Sequence, residues 1–509
     1  MKMTSTNEIN QVKRIEGDLL TLNYRLALRG ANAWRGITSH ATEHSLYDGF
    51  QEILNADTIQ KTRDLNLPRQ VKHRIFHSLL GHYLQYRSLP FENELSMWMR
   101  GASADVEGEK IYFKDIIAWC QKRSDLAKRR IMEKETISLS RFLKPFALSP
   151  WEFVLELLRE EFGYKDYVTF CSNKKEIDYS AYTTKLERLL TQTEELYFAS
   201  MEDWTRADLG TSLSELNRFD GIYLLGLGKL NGLFPSHIPL SKHLRFFDHW
   251  QMPPDKLPGL HLDMEYSPRK GSQAMSFAAR IPDEVYLVMN PQGGWIDLET
   301  LFHEMGHALS NIFTSRELSP VEKDFHPSNT LSETYAFLLQ NMIFTPLFLE
   351  RELKLKPKDI DKMIYYKTLK DMSFFRRYAA KFLAEHEMFK TGSLSDGEIY
   401  ATLLKKYTGF SYRSESHLFD LVPEFYALDY VISWMAEAVL EKNLVETLGA
   451  NWMYRHEAGD TLRNWWLPGN RFELEEFFKT YGLGTIDPGE ILKRWQSRLS
   501  LKGAGSQTM

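Results

Sequence analysis

The chain has 509 residues, too many for one ordinary hydrophobic core, so two or three packed units are expected. Its composition is that of a globular protein, 43% hydrophobic and 26% charged, and a net charge of -5 leaves no basic stripe for nucleic acid. Only two cysteines occur, Cys120 and Cys171, which excludes a disulfide framework or a cysteine metal knuckle and points to a reducing compartment.

The first eighteen residues, MKMTSTNEINQVKRIEGD, are polar and lack the apolar stretch of a secretory signal. No apolar run is long enough to span a bilayer; residues 221–234 come closest and are broken by four glycines and a lysine. The reading is a cytoplasmic protein without a membrane or nucleic-acid partner.

Apolar residues recur every three or four positions over 8–30, at Val12, Ile15, Leu19, Leu22 and Leu26, and again over 69–88, which predicts amphipathic helices. Further helices are expected at about 113–143 and 181–200. Ser149-Pro150-Trp151-Glu152 reads as a capping box that opens another. Residues 1–205 therefore read as an all-helical domain with no chemistry of its own. From Gly221 to Pro268 the prolines at 235, 239, 253, 254, 258 and 268 exclude long helices. Residues 273–290 then predict a turn at IPDE and a strand in their second half, the one small sheet. Helices resume near 298 and run to about 500, two of them opened by capping boxes at Ser395–Glu398 and Asp487–Glu490. Residues 206–500 form the expected catalytic domain, and 501–509 an expected disordered tail. Gly226-Leu-Gly228 reads as a loop and Gly293-Gly294 as a turn, since neither continues as a phosphate-binding motif.

His303-Glu304-Met305-Gly306-His307 carries the chemistry. Positions i and i+4 of a helix lie on one face, so both imidazoles can grip one ion. Glu304, one residue along, can reach a water rather than the metal. Asp297 is placed to cap this helix, and Leu298, Leu301, Phe302, Met305, Ala308 and Leu309 give it an apolar stripe. A catalytic zinc takes three protein ligands and an open position. Phe313 stands where a third histidine of the metzincin type would be, which excludes that subclass. Among downstream carboxylates, Glu317 and Glu322 fall in a proline-broken connection. Glu333 lies in the buried-helix pattern SNTLSETYAFLL, where a lone carboxylate is costly unless it binds metal. The expected centre is one Zn2+ per chain on His303, His307 and Glu333, with Glu304 as base.

With these residues in place the sequence resembles the zinc oligopeptidases related to thimet oligopeptidase and oligoendopeptidase F. The likeness rests on LFHEMGHAL followed by SNTLSETYAFLL, on DMEYSPRKGSQAMSFAA (263–279), and on PEFYALDYVISWMAEAVL (423–440), in that order. The resemblance implies a mainly helical, gluzincin-type fold: two helical halves around a deep substrate channel, with one small sheet beside the zinc. It also implies cleavage of internal bonds in short unfolded peptides, a peptide held as an added strand on 273–279, and an oxyanion bound by Tyr430 or Tyr426 with His417. The departures are specific. Leu428 and Asp429 stand where the family commonly has Tyr and Gln, His417 lies nine residues before Tyr426, and Ser433 replaces a further Tyr. A zinc carboxypeptidase or dipeptidyl carboxypeptidase of the same fold would need a cation for the substrate carboxylate, for which Arg269, Lys270 and Arg413 are available. A non-catalytic peptide-binding relative is the remaining alternative.

Overall fold

A computed structural model describes residues 6–37, 42–234, 239–271 and 273–500; Pro235 and the tail 501–509 lie outside the described residues. The chain is mainly helical with small sheets, and it packs as two compact units built from non-contiguous segments. One unit gathers residues 1–86, 230–364 and 432–509, the other 87–229 and 365–431. A boundary at 205/206 therefore does not describe the packing. The first helix, Thr6–Trp34, belongs with the HExxH segment, because its Gly30 lies flat against Phe277, where an added Cβ would come within 2.8 Å of the ring. Trp34 Nε1 donates to the Gln273 carbonyl at 3.0 Å, and the Gly271 N–H donates to the Trp34 carbonyl at 3.0 Å. Val12, Ile15, Leu19 and Leu22 are buried as their spacing requires.

The same unit holds a three-stranded sheet of order β3-β5-β4, with β3 at Leu260–Asp263, β4 at Met275–Arg280 and β5 at Glu284–Val288. β3 runs parallel to β5, and β4 pairs antiparallel with it, Ser276 opposite Leu287. β4 is thus an edge strand, and the strand predicted after the IPDE turn is β5. Lys270 fixes the approach to β4. Its ammonium binds the Asp263 carboxylate and the Met289 carbonyl, while Arg35 Nε meets Asp263 at 3.0 Å.

The other unit corrects several expectations. Its first part is not all helix, since Ser103–Val106 (β1) and Glu109–Tyr112 (β2) form an antiparallel hairpin. Glu107 and Gly108 both take positive φ, the turn that hairpins favour, and Gly108 N–H donates to Asp105. Ala104, Val106 and Ile111 bury against Ile116, Cys120, Met132 and Phe219. No helix opens at Ser149 either. One helix runs unbroken over Leu126–Glu160 through Pro145 and Pro150, and Ser149 Oγ turns back to the Pro145 carbonyl instead of capping. The helix expected at 181–200 is two, Tyr179–Gln192 and Glu194–Leu209. Later helices begin at Glu398 and Gly489, near the expected places, but Asp396 rather than Ser395 accepts the first N–H of the former.

Candidate metal centre

The HExxH helix spans Trp295–Ile312 and the Glu333 helix spans Thr330–Met342. Asp297 does not cap the former. Gly294 is the N-cap at φ 95°, and Asp297 inside the first turn accepts the N–H groups of Gln292 and Gly293 at 3.1 and 2.6 Å, tying the Gly293-Gly294 turn to the helix. The two helices pack closely at Gly306. A Cβ there would stand 2.5 Å from the Ala336 Cα and 2.7 Å from the Tyr335 carbonyl, so only glycine admits this approach.

That approach brings Glu333 between the histidines. Its carboxylate oxygens lie 3.5 Å from His303 Nε2 and 3.7 Å from His307 Nε2, and the three ligand atoms all sit within 4.8 Å of one another. Each imidazole is held from behind. His303 Nδ1 meets Gln340 Oε1 at 2.8 Å, and Gln340 Nε2 donates to Glu299 at 3.1 Å, so the amide must accept from His303. His307 Nδ1 meets the Ser332 hydroxyl at 2.8 Å. His303 Nε2 then carries its lone pair toward Glu333, as metal ligation needs, and the Ser332 hydroxyl is able to accept from His307 Nδ1 in the same tautomer. The edge of His303 rests on the Phe337 ring, which is stacked on Trp434.

Burial sets the charge states. It pushes both imidazoles down to about 4, so they are neutral ligands at ordinary pH. It pushes Glu304 up to about 8, with the Glu333 charge adding to the effect and the Ser276 backbone N–H opposing it. Glu304 Oε2 is buried without a hydrogen-bond partner. Two buried carboxylates facing two neutral imidazoles form an arrangement that lacks positive charge, which a dication held by His303, His307 and Glu333 would supply. The donor set of two nitrogens and a carboxylate suits Zn2+. The contact from Ser276 also locates the β4 edge beside Glu304.

Glu317 is exposed, and Glu322 serves a capping box with Ser319 and pairs with Arg471 at 2.8 Å; neither belongs to the group of His303, His307 and Glu333. Ser433, expected in place of a tyrosine, donates to the Thr330 carbonyl at 2.8 Å at the start of the Glu333 helix.

Tyr426 and Tyr430 belong, with His417, to the other unit. The tyrosine rings lie 5.0 Å apart, and Tyr378, which sequence reasoning missed, joins them 5.1 Å from Tyr430. Its only sequence signal is its place in the apolar stripe of the helix Pro357–Thr391. His417 is buried, with Nδ1 2.5 Å from the Ser414 carbonyl and Nε2 2.8 Å from the Leu394 carbonyl, so both ring nitrogens already face backbone acceptors. Asp429, where the family commonly has Gln, forms a buried pair with Lys175 at 2.8 Å.

A model of peptidase family M3 matches residues 241–495. Among solved structures, one assigned as oligoendopeptidase F from Bacillus anthracis str. Ames is 14% identical, with a TM-score of 0.59 over 97% of this chain and 86% of that one. PZ peptidase A, solved with an inhibitor, is 13% identical, with a TM-score of 0.60 over 99% of this chain and 88% of that one. A comparison with curated proteins gives no match. Among the described residues no helix is long and apolar enough to cross a membrane.

Proposed function

Because the chain belongs to peptidase family M3, we propose that it is a zinc-dependent endopeptidase acting on short unfolded peptides, with His303, His307 and Glu333 as the metal ligands. The observation that carries this reading is the convergence of those three side chains beside a buried Glu304 and the free edge of β4. When bound, zinc supplies a Lewis acid that polarises the scissile carbonyl and acidifies water. The chain's residues do the rest. A peptide added to the β4 edge is aligned by main-chain hydrogen bonds. Glu304 Oε2 takes a proton from the attacking water and returns it to the leaving amine. The family resemblance assigns donation to the oxyanion, a contact worth roughly 3 kcal/mol, to Tyr430 or Tyr426. His417, with both ring nitrogens facing carbonyls, is assigned a structural part in this scheme.

The endopeptidase reading is favoured over the carboxypeptidase alternative by the state of the available cations. Lys270 is bound to Asp263 and backbone carbonyls, and Arg413 to Glu133 at 3.0 Å, which leaves Arg269 alone. The name of one similar structure, oligoendopeptidase F, agrees with it. Buried free thiols at Cys120 and Cys171 favour the cytoplasm.

The test combines zinc analysis with cleavage of internally quenched peptides of increasing length, and of an unfolded protein carrying the same site. Zinc bound one per chain, with kcat/KM falling steeply with length, supports the reading. Glu304→Gln should keep zinc and lose about 100-fold or more in rate. A Gln variant with near-normal turnover sinks the role given to Glu304.

A further inference from the structure

The HExxH helix continues beyond His307 and borders a cavity of about 340 Å³. Its lining includes Asn311 and Thr314, Ala278 of β4 with Ile281 just after that strand, and Ser332 and Asp324. Ser332 joins the cavity to the metal centre, since its hydroxyl lies 2.8 Å from His307 Nδ1. From His307 to Asn311 the helix advances about 6 Å at roughly 1.5 Å per residue, and an extended peptide covers that in about two residues. The β4 edge makes the same connection, from Ser276 beside Glu304 to Ala278 and Ile281 in the cavity. A peptide lying along β4 therefore reaches the cavity two or three residues from its scissile bond.

The lining holds two histidines, His82 and His326, and one acidic group. Asp324 is its single carboxylate, and no lysine or arginine lines the cavity. Among the described residues no donor reaches the Asp324 carboxylate, although it is half-buried; the adjacent Lys323 acts on it only through its field. Burial raises this carboxyl to about 6, so it is ionised at neutral pH. Both histidines face other partners: His82 meets Asn23 Oδ1 at 2.7 Å, and His326 Nε2 meets Asn329 Oδ1 at 3.0 Å. A half-buried carboxylate beside open space and without a counter-ion will take a cationic hydrogen-bond donor. A substrate carboxylate in the same place would be repelled.

We propose that this cavity is a subsite for a primary ammonium of the peptide, two or three residues from the bond that is cut, with Asp324 as its counter-ion. The assignment rests on the peptidase reading above and deepens it. The ammonium is either the peptide's own N-terminus or a lysine side chain, and these sources are separable.

Zinc-loaded enzyme is given quenched peptides whose scissile bond follows the second, third or fourth residue, each with a free or an acetylated N-terminus. A parallel acetylated set carries lysine or norleucine at the same positions. Loss of one ammonium should lower kcat/KM about tenfold, the scale of a charge-assisted hydrogen bond, in whichever set holds the source. Asp324→Asn should shrink that difference to less than about twofold. The wild-type comparison decides even where this variant folds poorly. Cleavage that ignores both acetylation and norleucine overturns the subsite and leaves the peptidase reading standing. If no peptide is cut, competition of the same peptides against a fluorescent one decides: tighter binding of the ammonium form supports the subsite, and equal binding overturns it.

Discussion

Gly306 and Ala336 touch backbone to backbone: a Cβ on Gly306 would stand 2.5 Å from the Ala336 Cα. The contact is what places Glu333, three residues before Ala336 on its helix, between two histidines that flank Gly306. Gly306→Ala should therefore act on metal binding through packing alone. Helix propensity favours alanine, but the clash is with backbone, which cannot rotate away, so a net loss of about 1–3 kcal/mol is expected. Zinc affinity should fall with it. Denaturant melts and zinc titrations check both, and a variant at least as stable as wild type, with unchanged zinc affinity, would contradict the close approach.

The third ligand is tested by comparing carboxylates. Glu333→Ala should lower zinc affinity sharply, because a three-ligand site becomes a two-ligand one. Glu317→Ala and Glu322→Ala should leave it unchanged; the latter costs only a surface cap and a half-exposed pair with Arg471. Zinc content after dialysis against a weak chelator gives the answer. Equal content in all three variants removes Glu333 from the site.

Much of this site was legible in the sequence because its parts are local. The i, i+4 histidines and the buried pattern around Glu333 need only helical periodicity, and Pro320 and Pro327 in the connection point past Glu317 and Glu322. What stayed hidden depends on non-local packing. Gly306 reads as a variable position of HExxH until the second helix is laid on it. The joining of the first helix to β4 through Gly30 and Phe277 leaves no trace in periodicity, so a cut at 205/206 looked natural. The β1–β2 hairpin was missed because its strands are only four residues each, and Glu107-Gly108 is a weaker turn signal than Asn-Gly. Ser149 has the right neighbours for a cap, but its hydroxyl has an equally good partner in the Pro145 carbonyl.

Gln340 is expected to set ligand quality without touching the metal. Its amide accepts from His303 Nδ1 and donates to Glu299, which fixes both the ring orientation and the tautomer. Gln340→Leu should cost about 10–100-fold in zinc affinity, the range for removing such a partner. Ser332→Ala should cost less, since a hydroxyl can rotate and has no second anchor of its own among the bonds at His307. Competitive titration with a chromophoric chelator measures both, and a Gln340→Leu variant with wild-type affinity would show that packing against Phe337 suffices to hold His303.

The last prediction concerns the other unit and is independent of the metal. Glu385 is fully buried, with the Lys381 ammonium 3.6 Å away, and burial outweighs that attraction and raises its carboxyl to about 7. In the unfolded chain the same group releases its proton near 4.5. Between these values the folded protein holds a proton that the unfolded one has lost. Stability from this group is thus full below about 4.5, declines as pH rises, and is gone above about 7. Asp420 works the other way: although burial alone would raise it, Arg377 and Lys381 hold its carboxyl well below the usual range, so its contribution is present above about 4 and lost only in acid. Glu385→Gln removes the titration but keeps the shape. It should be stabilising by about 1–3 kcal/mol relative to wild type at pH 8 and much closer to neutral at pH 5. Denaturant melts at the two pH values measure the difference. A variant whose effect is the same at both would show that Glu385 does not keep its proton in the folded protein, and that the Lys381 pair outweighs burial.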